Sequence, residues 1–186
     1  LIYFWKKNKI RNEIIEQETK KYFFYCCLPC IFAGLYILKL TNDYFNYNYI
    51  VGTVIILSVI LASKFNAFTN INKLSKILFL SIIGIVHGLT NSGGTLLSIF
   101  ISNKNNKMNS RYNITFFYFF LAFFQLFLFL LVFTNEELNK NYLWAILFCP
   151  MAGFIGNIIQ GKISENKFKK VVNLIAIFAS ISLFLK

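Results

Sequence analysis

Residues 84–98 have the sequence GIVHGLTNSGGTLLS and lie inside a longer apolar segment at 75–101. This segment predicts an apolar helix from Ser75 to about Leu89, a polar break with two glycines at 90–95, and a short apolar run that ends at Ile101. Unpaired backbone groups are costly in lipid, so such a break has to face protein or a water-filled cavity. Two geometries remain open: a kinked helix that crosses the membrane, and a re-entrant hairpin that returns to its starting side.

The composition around this segment is typical of a membrane protein. Hydrophobic residues make up 57% of the 186 residues and charged residues only 14%. A soluble domain of this length could not bury so much apolar surface in one core. The formal net charge of +12 would suggest a nucleic-acid partner in a soluble protein. Here the lysines flank apolar segments, where they set topology and meet anionic headgroups, so the predicted partner is the lipid bilayer and not a nucleic acid.

Five further apolar segments have about the length that crosses a bilayer, for which ~20 residues are needed. They lie at 22–39, 49–63, 112–133, 142–160 and 168–185. The predicted fold is therefore all-α: a polytopic integral membrane protein with five crossing helices and one broken helix at 75–101. Residues 1–5 resemble the tail of another helix, and the chain starts at Leu1 without an initiator Met. We therefore expect it to be a fragment of a longer protein.

The distribution of Lys and Arg distinguishes the two geometries of segment 75–101. If the segment crosses the membrane, the two sides receive 11 and 8 of these residues. If it is a hairpin, the two sides receive 16 and 3. Because cytoplasmic loops carry the excess of positive charge, this asymmetry favours the re-entrant hairpin.

Two parts of the chain resemble each other weakly. Residues 22–34 and 142–156 each begin with Tyr, have a Pro seven or eight residues later (Pro29 and Pro150) and a Gly soon after. With a hairpin at 75–101, the first copy runs from inside to outside and the second from outside to inside. Inverted repeats with broken helices are the construction of many secondary transporters. We therefore predict two inverted repeats, at 1–64 and 65–186.

The stretch at 84–98 resembles the TauE/SafE sulfite exporter family, as does the closing stretch from Ala152 through Gly156 and Lys162 to the last apolar helix. The resemblance implies a permease of eight segments in two related halves, each opening with a Gly-rich broken segment. The chain then covers the later part of the first half and the whole second half. It further implies secondary transport, in the export direction, of sulfite or another sulfur oxyanion or organosulfonate across the cell membrane.

The predicted substrate-binding residues surround the two glycines. Gly permits backbone conformations and close approaches that other residues do not, and a half-helix that begins near Thr95 would direct free amides into the cavity. Helix N-termini bind anions through such amides and the macrodipole. The alternative is a tight turn that only lets the hairpin pack. The predicted set is Thr90, Asn91, Ser92, Gly93, Gly94, Thr95 and Ser98.

His87 is the only histidine and lies in the apolar arm of the broken segment. An ionisable group at membrane depth indicates function by default, and His could couple proton movement to transport. The alternative is a neutral His bonded to a neighbouring carbonyl. The spacing Gly84-x-x-x-Gly88 predicts close packing between helices.

A second functional hypothesis rests on the C-x-P-C spacing of Cys27 and Cys30, which in a thioredoxin-like setting indicates redox chemistry. The protein would then be a membrane redox or assembly protein. A third hypothesis is a membrane scaffold without transport. The sequence has no metal-ligand cluster, no phosphate-binding loop and no nucleophile with a base, so neither an enzyme nor a cofactor is predicted. A homo-oligomer is left open.

Overall fold

The computed structural model describes residues 17–41, 44–65, 68, 71–132, 154–156, 158 and 163–185, and these regions are helical with short connections. Six helices of this described part have both ends defined: α1 (Gln17–Thr41), α2 (Tyr47–Phe65), α3 (Lys73–Thr90), α4 (Gly93–Lys104), α5 (Lys107–Val132) and α6 (Glu165–Phe184). Residues 154–156 and 158 are also helical. The predicted all-α fold is confirmed. Residues 1–5 and most of the predicted segment 142–160 lie outside the described residues. This segment includes residues 142–156, which resemble residues 22–34.

Three helices are long and apolar enough to cross a membrane: α1, α3 and α5. Helix α2 has a shorter apolar part, Tyr47–Ser63. Helix α6 begins with the charged stretch ENKFKK at 165–170. The predicted apolar segment at 168–185 includes the last part of this stretch. Large apolar side chains such as Phe119, Phe123 and Leu130 are exposed on the outside of α5. In a bilayer these side chains meet lipid, which explains why so many of them stay outside the core.

Helices α1 and α3 run in the same direction with their backbones in contact. A Cβ atom on Gly84 would clash with the carbonyl oxygen of Cys27, and one on Gly88 would clash with that of Ile31. A Cβ atom on Gly34 of α1 would clash in the same way with the carbonyl oxygen of Ile85 on α3. Glycines on both helices therefore permit this close approach, which confirms the close packing that the Gly84-x-x-x-Gly88 spacing predicted.

The chain reverses its direction between α3 and α4. Asn91 has a φ of 59°, the left-handed conformation, and α4 begins two residues later at Gly93. The rings of Phe79 on α3 and Phe100 on α4 have centroids only 5.6 Å apart, so the two helices lie side by side in opposite directions. Helix α4 is about 18 Å long at 1.5 Å per residue, which is too short for a hydrocarbon core of ~30 Å. The broken segment is thus a helical hairpin, and its re-entrant placement in a bilayer stays a prediction.

The turn of this hairpin differs in one detail from the expectation. Glycine was expected to supply the special backbone conformation, but no described glycine has a positive φ. Asn91 adopts the left-handed conformation instead, which Asn tolerates better than most residues. Gly93 and Gly94 have helical backbone in the first turn of α4, so the turn requires their missing side chains and not an unusual φ.

Most basic residues of the described helices lie at one end of the bundle, which we call the basic end. Ser180 donates a hydrogen bond of 2.8 Å to the carbonyl oxygen of Gly52, and Asn173 donates one of 3.1 Å to Ser63, so α2 and α6 are antiparallel. The start of α6 therefore lies with the end of α2 and the start of α3. Helices α3, α4, α5 and α6 place these basic side chains there: Lys73, Lys76, Lys104, Lys107, Arg111, Lys167, Lys169 and Lys170. Lys39 lies at the opposite end.

Helix α4 occupies the centre of the bundle and contacts α2, α3, α5 and α6. It is buried around its circumference, from Gly93 through Leu97 and Phe100 to Asn103, as expected of a helix that is apolar on all sides. The most extensive contacts of the bundle join α1 to α3 and α2 to α6. Both pairs connect the predicted repeats 1–64 and 65–186, so the two repeats interleave in the packing. The inverted relation between the repeats stays a prediction.

Candidate functional site

The first turn of α4 leaves backbone donors unpaired at the tip of the hairpin. Ser92, the residue before the helix, makes no side-chain capping bond. The amide of Thr95 donates to the carbonyl oxygen of Ser92 at 3.0 Å. The amides of Gly93 and Gly94 have no acceptor within the part of the chain that the structure describes. Free N–H groups at a helix start carry the positive end of the helix dipole, so this turn attracts an anion.

The hydroxyl groups of the predicted site are mostly engaged with the backbone. Thr90 donates to the carbonyl oxygen of Val86 at 3.2 Å, and Ser98 donates to that of Gly94 at 2.9 Å. Ser92 donates to the carbonyl oxygen of Thr90 at 3.2 Å. Thr95 has no side-chain hydrogen bond to any described residue. The Thr95 hydroxyl is therefore the one of these four that keeps its proton available for a ligand.

His87 lies beside this turn and is completely buried, with 0% of its surface exposed. Its Cβ atom is 2.5 Å from the position that a Cβ on Gly93 would take, so the imidazole leaves α3 next to the first residue of α4. Neither ring nitrogen has a hydrogen-bond partner among the described residues. The main chain of Leu121 on α5 comes near the ring but does not meet hydrogen-bond geometry. Leu121 thus supplies a neighbouring main chain of the kind that the alternative hypothesis requires, and both hypotheses for His87 stay open.

An unpaired buried imidazole indicates a missing partner. A neutral imidazole has one N–H donor and one acceptor nitrogen. Leaving a buried polar group without a partner costs about 1–3 kcal/mol. Such groups in a native fold call for an explanation, of which a bound ligand or water is the simplest.

The two glycines are also in tight contact with their neighbours. A Cβ on Gly93 would clash with the carbonyl oxygen of Ile83. A Cβ on Gly94 would be 2.6 Å from Cδ2 and 2.8 Å from Cζ of Tyr118 on α5. Close packing of the hairpin, the alternative named above, therefore explains why both residues lack a side chain in this conformation. It does not use their amides, which remain available for a ligand.

A cavity of about 610 Å³ lies between the end of α3 and the connection from α1 to α2. Its lining consists of Leu38, Tyr44, Phe45, Asn46, Tyr47, Asn48, Leu89 and Thr90. Gly88 packs against Ile31 and Gly34. From this level α1 continues to Thr41 and α3 only to Thr90, so the tip of the hairpin ends about 7 Å before the end of α1. The cavity fills this interval and opens at the end of the bundle opposite the basic end. Thr90 is the predicted site residue in its lining.

The three cysteines of α1 lie within or at the edge of its packing against α3. Cys26, Cys27 and Cys30 are free thiols. Cys27 is buried. The Cβ atom of Cys30 lies 2.8 Å from the place that a Cβ on Gly84 would take. Among the described residues, no group of three His, Cys, Asp or Glu side chains could hold a metal ion. The redox hypothesis stays untested.

The family model for the sulfite exporter TauE/SafE matches residues 2–183 of the chain. The chain belongs to this family. No individual curated protein and no solved structure matches it. Members of the TauE/SafE family are membrane transporters and not enzymes, and the apolar helices of this chain have the length and composition of an integral membrane protein. The protein is accordingly a TauE/SafE membrane transporter, and the hairpin formed by α3 and α4 is its candidate substrate site.

Proposed function

We propose that the protein is a secondary transporter that exports a small anion, sulfite or a related sulfur oxyanion or organosulfonate, across the cell membrane. One observation carries this proposal: unpaired amides at the start of α4 lie beside the unpaired imidazole of His87. Thr90, which is three residues after His87 and three before Gly93, lines an open cavity at the end of α3. The family name supplies sulfite as the first candidate substrate.

The chemistry of the site suits an oxyanion. The amides of Gly93 and Gly94, the hydroxyl of Thr95 and the N–H of His87 are all donors, and oxygen atoms of a sulfur oxyanion accept from each kind. The turn from Asn91 to Thr95 carries no Lys or Arg, so no full positive charge holds the anion. Donors without a formal charge bind an anion loosely enough for release, which a transporter requires.

The cavity that Thr90 lines opens at the end of the bundle opposite the basic end. The basic end corresponds to the cytoplasm by the excess of positive charge, so the cavity opens to the outside. At the basic end, the rings of Phe68, Phe79 and Phe100 pack with centroid distances of 4.7 to 5.8 Å and close the space between the helices. Transport then requires a second conformation, in which the hairpin opens toward the cytoplasm. His87 is the residue we assign to proton coupling, since an imidazole can bind and release a proton.

The proposal is tested by anion flux in proteoliposomes that contain the protein, with sulfite, thiosulfate, sulfate and a small sulfonate as substrates. We expect saturable flux of at least one of these anions. Thr95→Val should lower this flux about tenfold, because a hydrogen bond to a charged group contributes about 1.5–3 kcal/mol. Thr115→Val is the matched control, because Thr115 is exposed on α5. Absence of flux for all four anions from folded protein would overturn the proposed function, and equal flux in both variants would overturn the site.

A further inference from the structure

We propose that Tyr118 is the movable cover of the anion site, and that its ring has to rotate away from Gly94 before an anion reaches the first turn of α4. This inference rests on the proposed function, since it takes that turn as the place where the anion binds. Tyr118 lies on α5, in an apolar segment that contains many Phe residues, and it is the one Tyr within residues 114–133.

The Tyr118 ring packs on the first turn of α4. Its Cδ2 and Cζ atoms lie 2.6 and 2.8 Å from the place that a Cβ on Gly94 would occupy, so the ring lies directly on the backbone of the helix start. Its centroid is 6.4 Å from the centroid of the His87 ring, with an angle of 76° between the planes. The phenol ring therefore contacts the two groups that carry the unpaired donors.

The Tyr118 ring is held in this place by few contacts. Tyr118 is 42% exposed, and its hydroxyl has no hydrogen bond to a described residue. The neighbouring Phe117 is only 1% exposed and packs on Phe23 at a centroid distance of 4.6 Å. Exposed side chains change rotamer rapidly, whereas Phe117 could not leave without opening the core. Of these two adjacent rings, only Tyr118 is suited to move.

These observations give Gly94 a defined role. Its missing side chain makes room for the Tyr118 ring in the covered state, and its amide is exposed when the ring leaves. The covered state excludes water and ions from the turn between transport events. An anion that binds at the amides selects the open rotamer, because it cannot occupy the same space as the ring.

The accessibility of the turn tests the cover directly. A thiol probe is placed by Thr95→Cys in protein whose four native cysteines are replaced, and its reaction rate with a negatively charged, membrane-impermeant thiol reagent is measured. Tyr118→Ala should raise this rate about tenfold or more, because a minor open state has a population of about 10% or less. Tyr118→Phe keeps the ring and should leave the rate unchanged. Phe119→Ala removes an exposed ring from the next position of α5 and is the matched control.

A second measurement needs no cysteine replacement. Gly94→Ala should lower the unfolding temperature of the protein, since the new methyl group meets the Tyr118 ring. In the Tyr118→Ala background the same substitution should have almost no effect, because coupling between two residues in contact disappears when one partner is removed. An equal decrease in both backgrounds would show that the ring does not lie on Gly94 and would overturn the proposal.

The outcomes separate the cover from the transport function, because thiol labelling requires no flux. If Tyr118→Ala opens the turn and no sulfur anion is transported, the cover stands and the proposed function fails. If flux is found and Tyr118→Ala labels at the same rate as Phe119→Ala, the function stands and the cover is wrong.

Discussion

His87→Leu is expected to make the protein more stable and to abolish its transport. The imidazole is fully buried, and neither of its nitrogens has a partner among the described residues. Replacing an unpaired buried polar ring with an apolar side chain of similar size removes a cost of about 1–3 kcal/mol. The same substitution removes a donor from the proposed anion site. Opposite signs for stability and activity are typical of a residue that is kept for function.

The test of this prediction combines two measurements on purified protein. The unfolding temperature in detergent should rise for His87→Leu, and anion flux in proteoliposomes should fall to the background of empty vesicles. His87→Gln is the informative control, because an amide keeps a donor and an acceptor but does not change its charge with pH. It should retain part of the flux and lose its pH dependence. Lower stability together with unchanged flux would identify His87 as an ordinary core residue.

Gly84→Leu is expected to prevent α1 and α3 from packing and to unfold most of the protein. Any Cβ at this position would meet the carbonyl oxygen of Cys27 and lie 2.8 Å from the Cβ atom of Cys30. Overpacking commonly costs about 1–3 kcal/mol when side chains can shift. Here the obstacle is backbone, so the two helices would have to separate. The cost therefore exceeds that of ordinary overpacking. Since the free energy of unfolding of a native protein is only about 5–15 kcal/mol, we expect little folded protein.

The measurement is the yield of monodisperse protein and its unfolding temperature. Gly84→Ala should show a smaller decrease than Gly84→Leu, since it adds one carbon atom. Gly156→Leu serves as the matched control, because a Cβ on Gly156 meets no described atom within 4 Å. If Gly84→Leu and Gly156→Leu behave alike, the direct backbone contact between α1 and α3 is wrong.

The helices and the hairpin could be predicted because they follow from properties that act over many residues. Apolar segments of membrane-spanning length correspond to α1, α2, α5 and α6 within a few residues. The reversal between α3 and α4 was indicated by the distribution of Lys and Arg over the loops. Glycine spacing on α3 indicated a close helix contact but not its partner, because the contact with Gly34 depends on how the whole bundle packs.

The details of the site could not be predicted, because they depend on contacts between distant residues. Tyr118 is the one Tyr within residues 114–133, but its contact with Gly94 depends on how α5 packs on α4. The left-handed residue is Asn91 and not one of the two glycines that follow Ser92, and this depends on the direction in which α4 leaves the turn. The hydroxyls of Thr90 and Ser98 looked like ligands in the sequence, but each donates to the carbonyl oxygen four residues earlier. The cavity is formed in part by residues 44–48, which contain no motif.

The central claim is that the anion binds at the break between α3 and α4, and sulfite binding to the purified protein tests it most directly. The unfolding temperature is followed as sulfite replaces chloride at constant ionic strength. The account predicts saturable stabilisation of the unmodified protein, about 2.7 kcal/mol at a sulfite concentration of one hundred times Kd. Thr95→Val should need a higher sulfite concentration for the same shift, and Thr115→Val should match the unmodified protein. A saturable shift that is identical in Thr95→Val, or no saturable shift at all, would contradict the claim.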